Sequence, residues 1–509
     1  MSRFALPTAP TTGPYVEQPK GFDLLSLPGL RRFLRWRHAR LALQLPLLIL
    51  AIFVLIDGFT GRQLAPRNVA TTATWLHYRG LVVVALALLG NAFCAACPLM
   101  LTRGPANAVK RLLPREIRWP RALRSKWLAL FLLLAVFYAY EAFDLWASPW
   151  LTAWLAVAYF AGAFAIDALF PAGTFCRYVC PLGNFNFLFA SISPSQITAR
   201  DPDVCRSCVG KPCLHGRETT ADPGIVSSGK NYVALATVTN PNGTGNFPGC
   251  ESNLFVPTMT SNMDCTSCMN CVRACPHDNV ALTVRSPAWE LLQRPWQSRW
   301  GTPLLVLAIT MLFWGLLNAI AMVPAYFDAA RALSSWLSIR NEHVLLAIMF
   351  ILFSLLGVSL ALGAAWLADY VAQGRASLRE ALHRWGYVFV ALGFGFWAAH
   401  YMFHFLTGAA SIYPVFQHFF AWRGVDIDPN WVIARWMPSA WMFPVSAGIS
   451  GAYAFLASYV TVRIALRDFG RRAALGMWPM LLFVAALTAF QILVLAQPME
   501  MRGTLLGPQ

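Results

Sequence analysis

Nine apolar stretches alternate with polar ones along the 509 residues. They run about 41–57, 80–97, 127–146 and 150–170, then about 302–324, 343–367, 386–407, 437–462 and 473–496. Most come close to the roughly 20 apolar residues that cross a bilayer core as a helix. The pattern predicts a polytopic α-helical membrane protein of about nine spans. A polar, Cys-rich block, about 176–290, interrupts it after the fourth. Within that block, 221–249 is rich in Gly, Asn, Pro and Ser and reads as loop. Residues 1–25 are polar and Pro-rich and read as disordered. The first apolar run is too long for the core of a signal peptide.

Composition agrees. The chain is 57% hydrophobic, has a mean hydropathy of +0.51 and is only 12% charged, where soluble domains sit near a quarter. The net charge of +17 would suit a nucleic-acid binder if it were clustered, but it is not. With the N-terminus inside, the inner segments 1–40, 101–126, 368–385 and 463–472 hold 22 of the 40 Lys and Arg, and the outer segments hold 8. This is the positive-inside bias. The charge therefore marks topology, with contact to anionic lipid as a by-product. Nucleic acid is not an expected partner. The Cys-rich block then faces the cytosol, a reducing compartment. The expected division is a basic cytosolic segment 1–40, a four-span membrane domain 41–175, a cytosolic domain 176–290, a five-span membrane domain 301–496 and an outer tail 497–509.

The twelve Cys fall in tight groups. Cys265, Cys268, Cys271 and Cys275, followed by Pro276, have the spacing C-x2-C-x2-C-x3-C-P, the bacterial [4Fe–4S] ferredoxin run. Three close thiolates reach three irons of one cubane; in two-cluster ferredoxins the fourth ligates the other cluster. Upstream stand Cys205, Cys208 and Cys213, with an x4 gap in place of x2, and then Cys250, followed by Glu251 where Pro is usual. The swapped rule assigns Cys205, Cys208, Cys213 and Cys275 to one cluster, and Cys250, Cys265, Cys268 and Cys271 to the other. A zinc knuckle or a degenerate first site is the alternative.

Two further pairs, Cys94-x2-Cys97-Pro98 and Cys176-x3-Cys180-Pro181, close the second and fourth spans. A four-thiolate metal or cluster site, a redox-active dithiol and plain buried thiols all remain open for them.

Paired Cys-Pro motifs on four spans, followed by a two-cluster ferredoxin block, resemble the membrane-bound polyferredoxins over about residues 40–290. That group includes the quinol-dehydrogenase ferredoxin subunit of periplasmic nitrate reduction, the nitrous-oxide reductase regulator and the cytochrome oxidase accessory ferredoxin. The resemblance implies a bacterial cytoplasmic (inner) membrane protein. It would be an electron-transfer subunit of an oxidoreductase, with a cytosolic redox partner, the quinone pool and a periplasmic redox protein as partners. The first pair departs from the family's usual C-x3-C-P. The five C-terminal spans fall outside the resemblance.

Those spans carry His400 and His404 on one face of the seventh, and His343 at the start of the sixth. Intramembrane His is costly and usually functional. Haem b is one reading, with His343 opposite His400 or His404 and Gly393 and Gly395 admitting a flat macrocycle. A quinone or copper site is another, and interfacial hydrogen bonding a third. Asp57, Glu141 and Asp144 lie near the outer ends of the first and third spans, where carboxylates could take protons from a quinol; solvation at the interface is the plainer reading. The functional expectation is electron transfer between a cytosolic partner, two [4Fe–4S] clusters and a quinone or haem in the membrane. The alternative is a redox assembly factor or metal reductase for maturation of a respiratory metalloenzyme. A redox-gated transporter is disfavoured, because the C-terminal spans show no paired charges in sequence.

Overall fold

The apolar runs fold as helices in a computed structural model that describes residues 18–19, 21–113, 117–219, 225–228, 231–234, 245–296, 301–434 and 436–499. Most of 1–25, which reads as disordered, Asn242-Gly243-Thr244, which has the spelling of a glycosylation sequon, and most of the tail lie outside the described residues. Among those described, seven segments are long and apolar enough to cross a membrane: Ala39–Thr60, Val69–Leu89, Pro149–Leu169, Gly301–Ile320, Glu342–Gln373, Leu378–Ala421 and Trp431–Leu495. The last contains two long helices, Met442–Phe469 and Ala473–Leu495. Lys126–Ala142 is a further apolar helix of 17 residues.

The second segment departs most from expectation. It starts at Val69, well before residue 80, because Thr71, Thr72, His77 and Arg79 dilute its hydropathy. All four are buried. It ends at Leu89, before Gly90, whose φ of +63° breaks the helix. Arg79, counted among the outer flank, therefore lies inside a span. The loop expected after the fifth span contains a helix, Pro324–Leu337. Glu342–Gln373 has 32 residues, about 48 Å at 1.5 Å per residue. That exceeds the ~30 Å hydrocarbon core.

The chain divides into two compact units. The first comprises Met1–Leu48, Ala85–Pro120 and Phe160–Glu290; the second comprises Ile49–Val84, Arg121–Tyr159 and Leu291–Gln509. This cuts across the early helices rather than between the domains expected from sequence.

In the first unit a three-stranded sheet carries β1 (Phe22–Asp23), β2 (Ser195–Ala199) and β7 (Val280–Val284), with β7 central and antiparallel to both neighbours. The N-terminal segment thus belongs to the Cys-rich unit rather than standing apart. Arg31 and Arg35 add ion pairs to Asp278. The sheet packs on Leu25, Ile197, Val256, Val272 and Val280, together with Cys213, Cys271 and Cys275. The insertion read as loop holds a second antiparallel sheet: β3 (Arg217–Thr219), β4 (Ile225–Ser228), β5 (Asn231–Ala234) and β6 (Gly245–Phe247), in the order β5-β4-β3-β6. Short β-formers such as Ile225-Val226 and Tyr232-Val233 explain it, against the surrounding Gly and Asn.

The second unit is built around Gly301–Ile320, which is buried along almost its whole length. Small residues let its neighbours approach. A Cβ on Gly393 would come 3.0 Å from Leu312 Cα, and one on Gly357 would come 2.3 Å from Phe313. Charges here are paired, contrary to the sequence reading. Asp369 meets Arg384, and Asp468 accepts from Arg294 (2.6 Å) and Arg384 (3.0 Å). Asp57, expected to be solvated, is 2% exposed; it accepts from Val69 N–H (2.7 Å) and pairs with Arg423 at 3.2 Å.

One fully buried ion pair closes the first unit's core. Arg285 donates to Glu290 at 2.9 Å and to Gln196 at 2.5 Å, while Glu290 also accepts from Ser261 and from Asn262 N–H. Glu290→Ala leaves a buried guanidinium without its anion, a loss of roughly 3–5 kcal/mol. A clear fall in the midpoint of thermal unfolding of the detergent-purified chain is the expected result.

Candidate functional site

The run from Cys265 to Cys275 is shaped by its backbone. Asp264, Ser267 and Met269 have φ of +63°, +50° and +58°. Non-glycine residues there cost about 1–2 kcal/mol each, so the curl is enforced. Left-handed residues placed between others form nests of N–H groups, a shape common at Fe–S sites. The short helix Asn270–Ala274 then delivers Cys275. Gly210 (φ +71°) and Lys211 (φ +45°) turn the chain between Cys208 and Cys213 in the same way.

Side chains then link several of the eight thiols. Asn279 donates its backbone N–H to Cys275 Sγ at 3.3 Å and its amide to Cys205 Sγ at 3.2 Å. Burial raises the thiols of Cys205, Cys208 and Cys213, and the charge of nearby Cys275 adds to each. Burial likewise raises Cys250, Cys265 and Cys271. Cys268 acts on Cys250, Cys250 acts on Cys265, and both Cys268 and Cys250 act on Cys271. Leu254 N–H donates to Cys250 Sγ at 3.2 Å. Asn279 thus joins Cys275 to Cys205, while Cys250 acts on Cys213 as well as on Cys265 and Cys271, so the eight thiols lie close to one another.

Cys250 reaches its place through the inserted sheet. Arg217 pairs with Phe247, so the excursion starts and ends at one point. A Cβ on Gly249 would come 2.2 Å from Leu214 O, and Cys250 N–H donates to that oxygen at 3.1 Å. Sequence inspection gives no sign of this clamp beyond the two glycines, Gly216 and Gly249.

Glu251, the residue in place of the usual Pro, accepts from Arg40 and pairs with Arg103 at 2.6 Å; Arg103 also pairs with Asp167 at 2.9 Å. Burial alone would raise the Glu251 carboxyl. The Arg103 and Arg40 guanidiniums outweigh it and hold the pKa at about 2, against 4.5 ordinarily. Arg177 binds Asp264 at 2.9 Å, and the Asn91 amide donates to Cys265 O at 2.8 Å. These contacts fasten the cysteine loops to the ends of the apolar helices of the same unit.

The remaining four thiols also lie together. Cys94 sits in a short helix, Ala92–Ala95, beyond the end of the span rather than within it. Cys176 lies in a π-helical turn, Phe175–Val179. Asn186 donates to Cys94 Sγ at 3.6 Å, and Cys176 Sγ stands 3.5 Å from Met100 Sδ.

Among the described residues, no three His, Cys, Asp or Glu side chains converge as a single metal ion requires. Such an ion holds its donors at ~2.0–2.3 Å from one point. A cubane binds each thiolate through a different iron, so its donors stand further apart.

The second unit has its own cavity, of about 300 Å³. Trp75, Arg79, Tyr140, Glu141, His400 and His404 line it. Arg79 donates to Tyr140 Oη at 3.0 Å, and its guanidinium lies 4.3–5.0 Å from the ring centroids of Tyr140, Trp75 and Tyr401. The π-helical stretch Thr72–Tyr78 presents Trp75; such stretches recur at functional sites. His400 and His404 face each other, Nε2 to Nε2, at 3.2 Å. Asn318 donates to Glu141 at 3.4 Å. Glu141 is buried rather than solvated. Asp144, half-buried at φ +44°, is raised by burial.

The haem arrangement anticipated from sequence does not fit here. His343 packs on the Phe143 ring at 5.6 Å and is not among the cavity residues. His400 and His404 turn to each other. Leu312 fills the space over Gly393, and Tyr453 the space over Gly395. Among the described residues, His343, His400 and His404 do not form an opposed pair.

The chain matches no family model, no curated protein and no solved structure.

Glu251→Gln keeps the side chain's size and removes its charge. The carboxylate's contribution is roughly 3 kcal/mol. It is present above pH 4.5 and lost as pH falls through about 2. Denaturant melts should therefore show the variant less stable at pH 7, with the gap to wild type closing between pH 4.5 and 2.

Proposed function

We propose that this is a membrane electron-transfer protein with about nine spans and a cytosolic ferredoxin-like domain in a bacterial inner membrane. The observation that carries the reading is the ferredoxin-spaced, curled run Cys265–Cys275 with Asn279 joining Cys275 to Cys205; on it we assign Cys275 to the first quartet and Cys250 to the second. Four thiols per set, curled backbone nests and N–H groups directed at sulfur suit two [4Fe–4S] clusters. When bound, each cluster would supply a one-electron carrier. Asn279 would fix Cys205 and Cys275 and, through its hydrogen bonds, tune the potential.

The membrane reactant that best suits the second unit's cavity is a quinone. Its walls combine the rings of Trp75, Tyr140 and Trp146 with a few convergent polar groups. Arg79 and Asn318 offer N–H donors to a quinone carbonyl. The His400–His404 pair and Glu141 can take the two protons released when a quinol gives up two electrons. Clusters on one side of a ~30 Å hydrocarbon core need such a mobile carrier to reach a partner on the other.

Iron and sulfide analysis with redox-titrated EPR tests the reading. Two ferredoxin-type signals are expected, and Cys265→Ser should remove one of them. Iron-free protein, or a single signal unaffected by the variant, would sink it. A deletion strain that fails to mature one metalloenzyme while keeping quinol-linked electron flow would favour the assembly-factor role instead.

For the cavity, His404→Ala and Arg79→Gln should each slow cluster reduction by a soluble quinol at least tenfold. The EPR signals should stay unchanged.

A further inference from the structure

Cys94, Cys97, Cys176 and Cys180 belong to neither ferredoxin quartet, yet they are organised in the same way. They come from two separate stretches that cross-brace each other. Asn186, on the helix that follows Cys180, reaches back to Cys94 Sγ, and Met100, just past Cys97, meets Cys176 Sγ. Gly183 N–H donates to Cys180 Sγ at 3.2 Å. Arg103 Nη2 lies 3.9 Å from Cys176 Sγ. Each Cys-Pro dipeptide has a simple role: the Cys caps a helical segment and the Pro occupies its first position. For Cys180 that segment is the nine-residue helix Pro181–Phe189. Its N-terminus favours a thiolate over a thiol.

The two plain readings fit less well. All four residues are free cysteines rather than disulfides. Thiols serving only as small buried hydrophobes would not collect donors from an amide, a backbone N–H and a guanidinium, since hydrogen bonds to an ionised acceptor are the strong ones. A lone zinc ion would need the donors converged on a point, and they are not. The two ferredoxin quartets share that separation. Asn186, six residues after Cys180, bonds Cys94, and Met100, three residues after Cys97, meets Cys176, so the two stretches bring their thiols into one region.

We propose that Cys94, Cys97, Cys176 and Cys180 together hold a third iron–sulfur cluster. The proposal rests on the ferredoxin reading only for its choice of metal. The side chains around it have distinct tasks. Asn186 and Gly183 hold the sulfurs, and Arg103 offsets the negative charge that four thiolates bring. Arg103 also binds Glu251, next to Cys250, so one side chain touches both the third quartet and the ligand loop of the second.

The test uses the full chain, purified anaerobically in detergent. Metal and sulfide are measured for wild type, for Cys94→Ser with Cys180→Ser, and for Cys265→Ser with Cys271→Ser. The first double variant should lose two or four irons per chain, with matching sulfide, and keep both ferredoxin EPR signals. Mössbauer spectra of the wild type should show iron beyond the two ferredoxin clusters, a readout that needs no variant to fold. Equal iron in wild type and the first variant would overturn the proposal. So would one zinc per chain that disappears with it, or peptide mapping that finds Cys94, Cys97, Cys176 and Cys180 in disulfides. Failure of the ferredoxin reading gives a different result: the second double variant would lose no iron.

Discussion

A carboxylate held between two guanidiniums underlies the architecture of the cysteine-bearing unit. Glu251 follows a ligand candidate directly; Arg40 lies in the first turn of the apolar helix Ala39–Thr60, and Arg103 opens the separate polar helix Arg103–Leu112. Taking three charges out of water is costly, and their attraction offsets that cost only when the geometry is satisfied. The triad therefore specifies where the loop after Cys250 must sit. Arg177 with Asp264, and Asn91 with the Cys265 carbonyl, repeat the device for the other ligand loop. The cysteine loops are thereby fixed to apolar helices by a few directed contacts rather than by a broad hydrophobic face.

Much of this was legible in the sequence. The apolar runs and the spacing of Cys265 to Cys275 follow from local rules, and Cys275 stands beside Cys205, joined to it through Asn279. Long-range pairing was not legible. Glu251 looked like a defect in a motif, because nothing local shows the two arginines it meets. Residues 22–23 looked like part of a disordered tail, because a two-residue strand exists only through its partner β7. The start of the second helix was hidden by Thr72, His77 and Arg79, polar groups whose partners lie elsewhere in the chain.

The C-terminal half shows how sequence proximity misleads in helical bundles. His343, His400 and His404 share a depth along their helices, which made them a plausible haem set. Depth is not azimuth. The helices are rotated so that His343 packs on an aromatic ring while the other two meet. The glycines that might have admitted a cofactor instead admit Leu312 and Tyr453. The buried cation Arg79, unremarkable in the sequence, turns out to organise the cavity's aromatic wall.

The pairing of β1 with β7 has a consequence for how the chain must be made. Residues 22–23 leave the ribosome first, but the strand they join is some 260 positions later. Four apolar helices are inserted in the meantime. The leading segment must stay on the side where the Cys-rich block will emerge, and it must wait there without its partner. The cysteines face the same delay, since Cys205 cannot meet Cys275 until everything between has been synthesised and the inserted sheet has closed. Contacts this distant in sequence slow folding. The Cys-rich unit is therefore completed late, once residues 280–284 have been made and can pair with both β1 and β2.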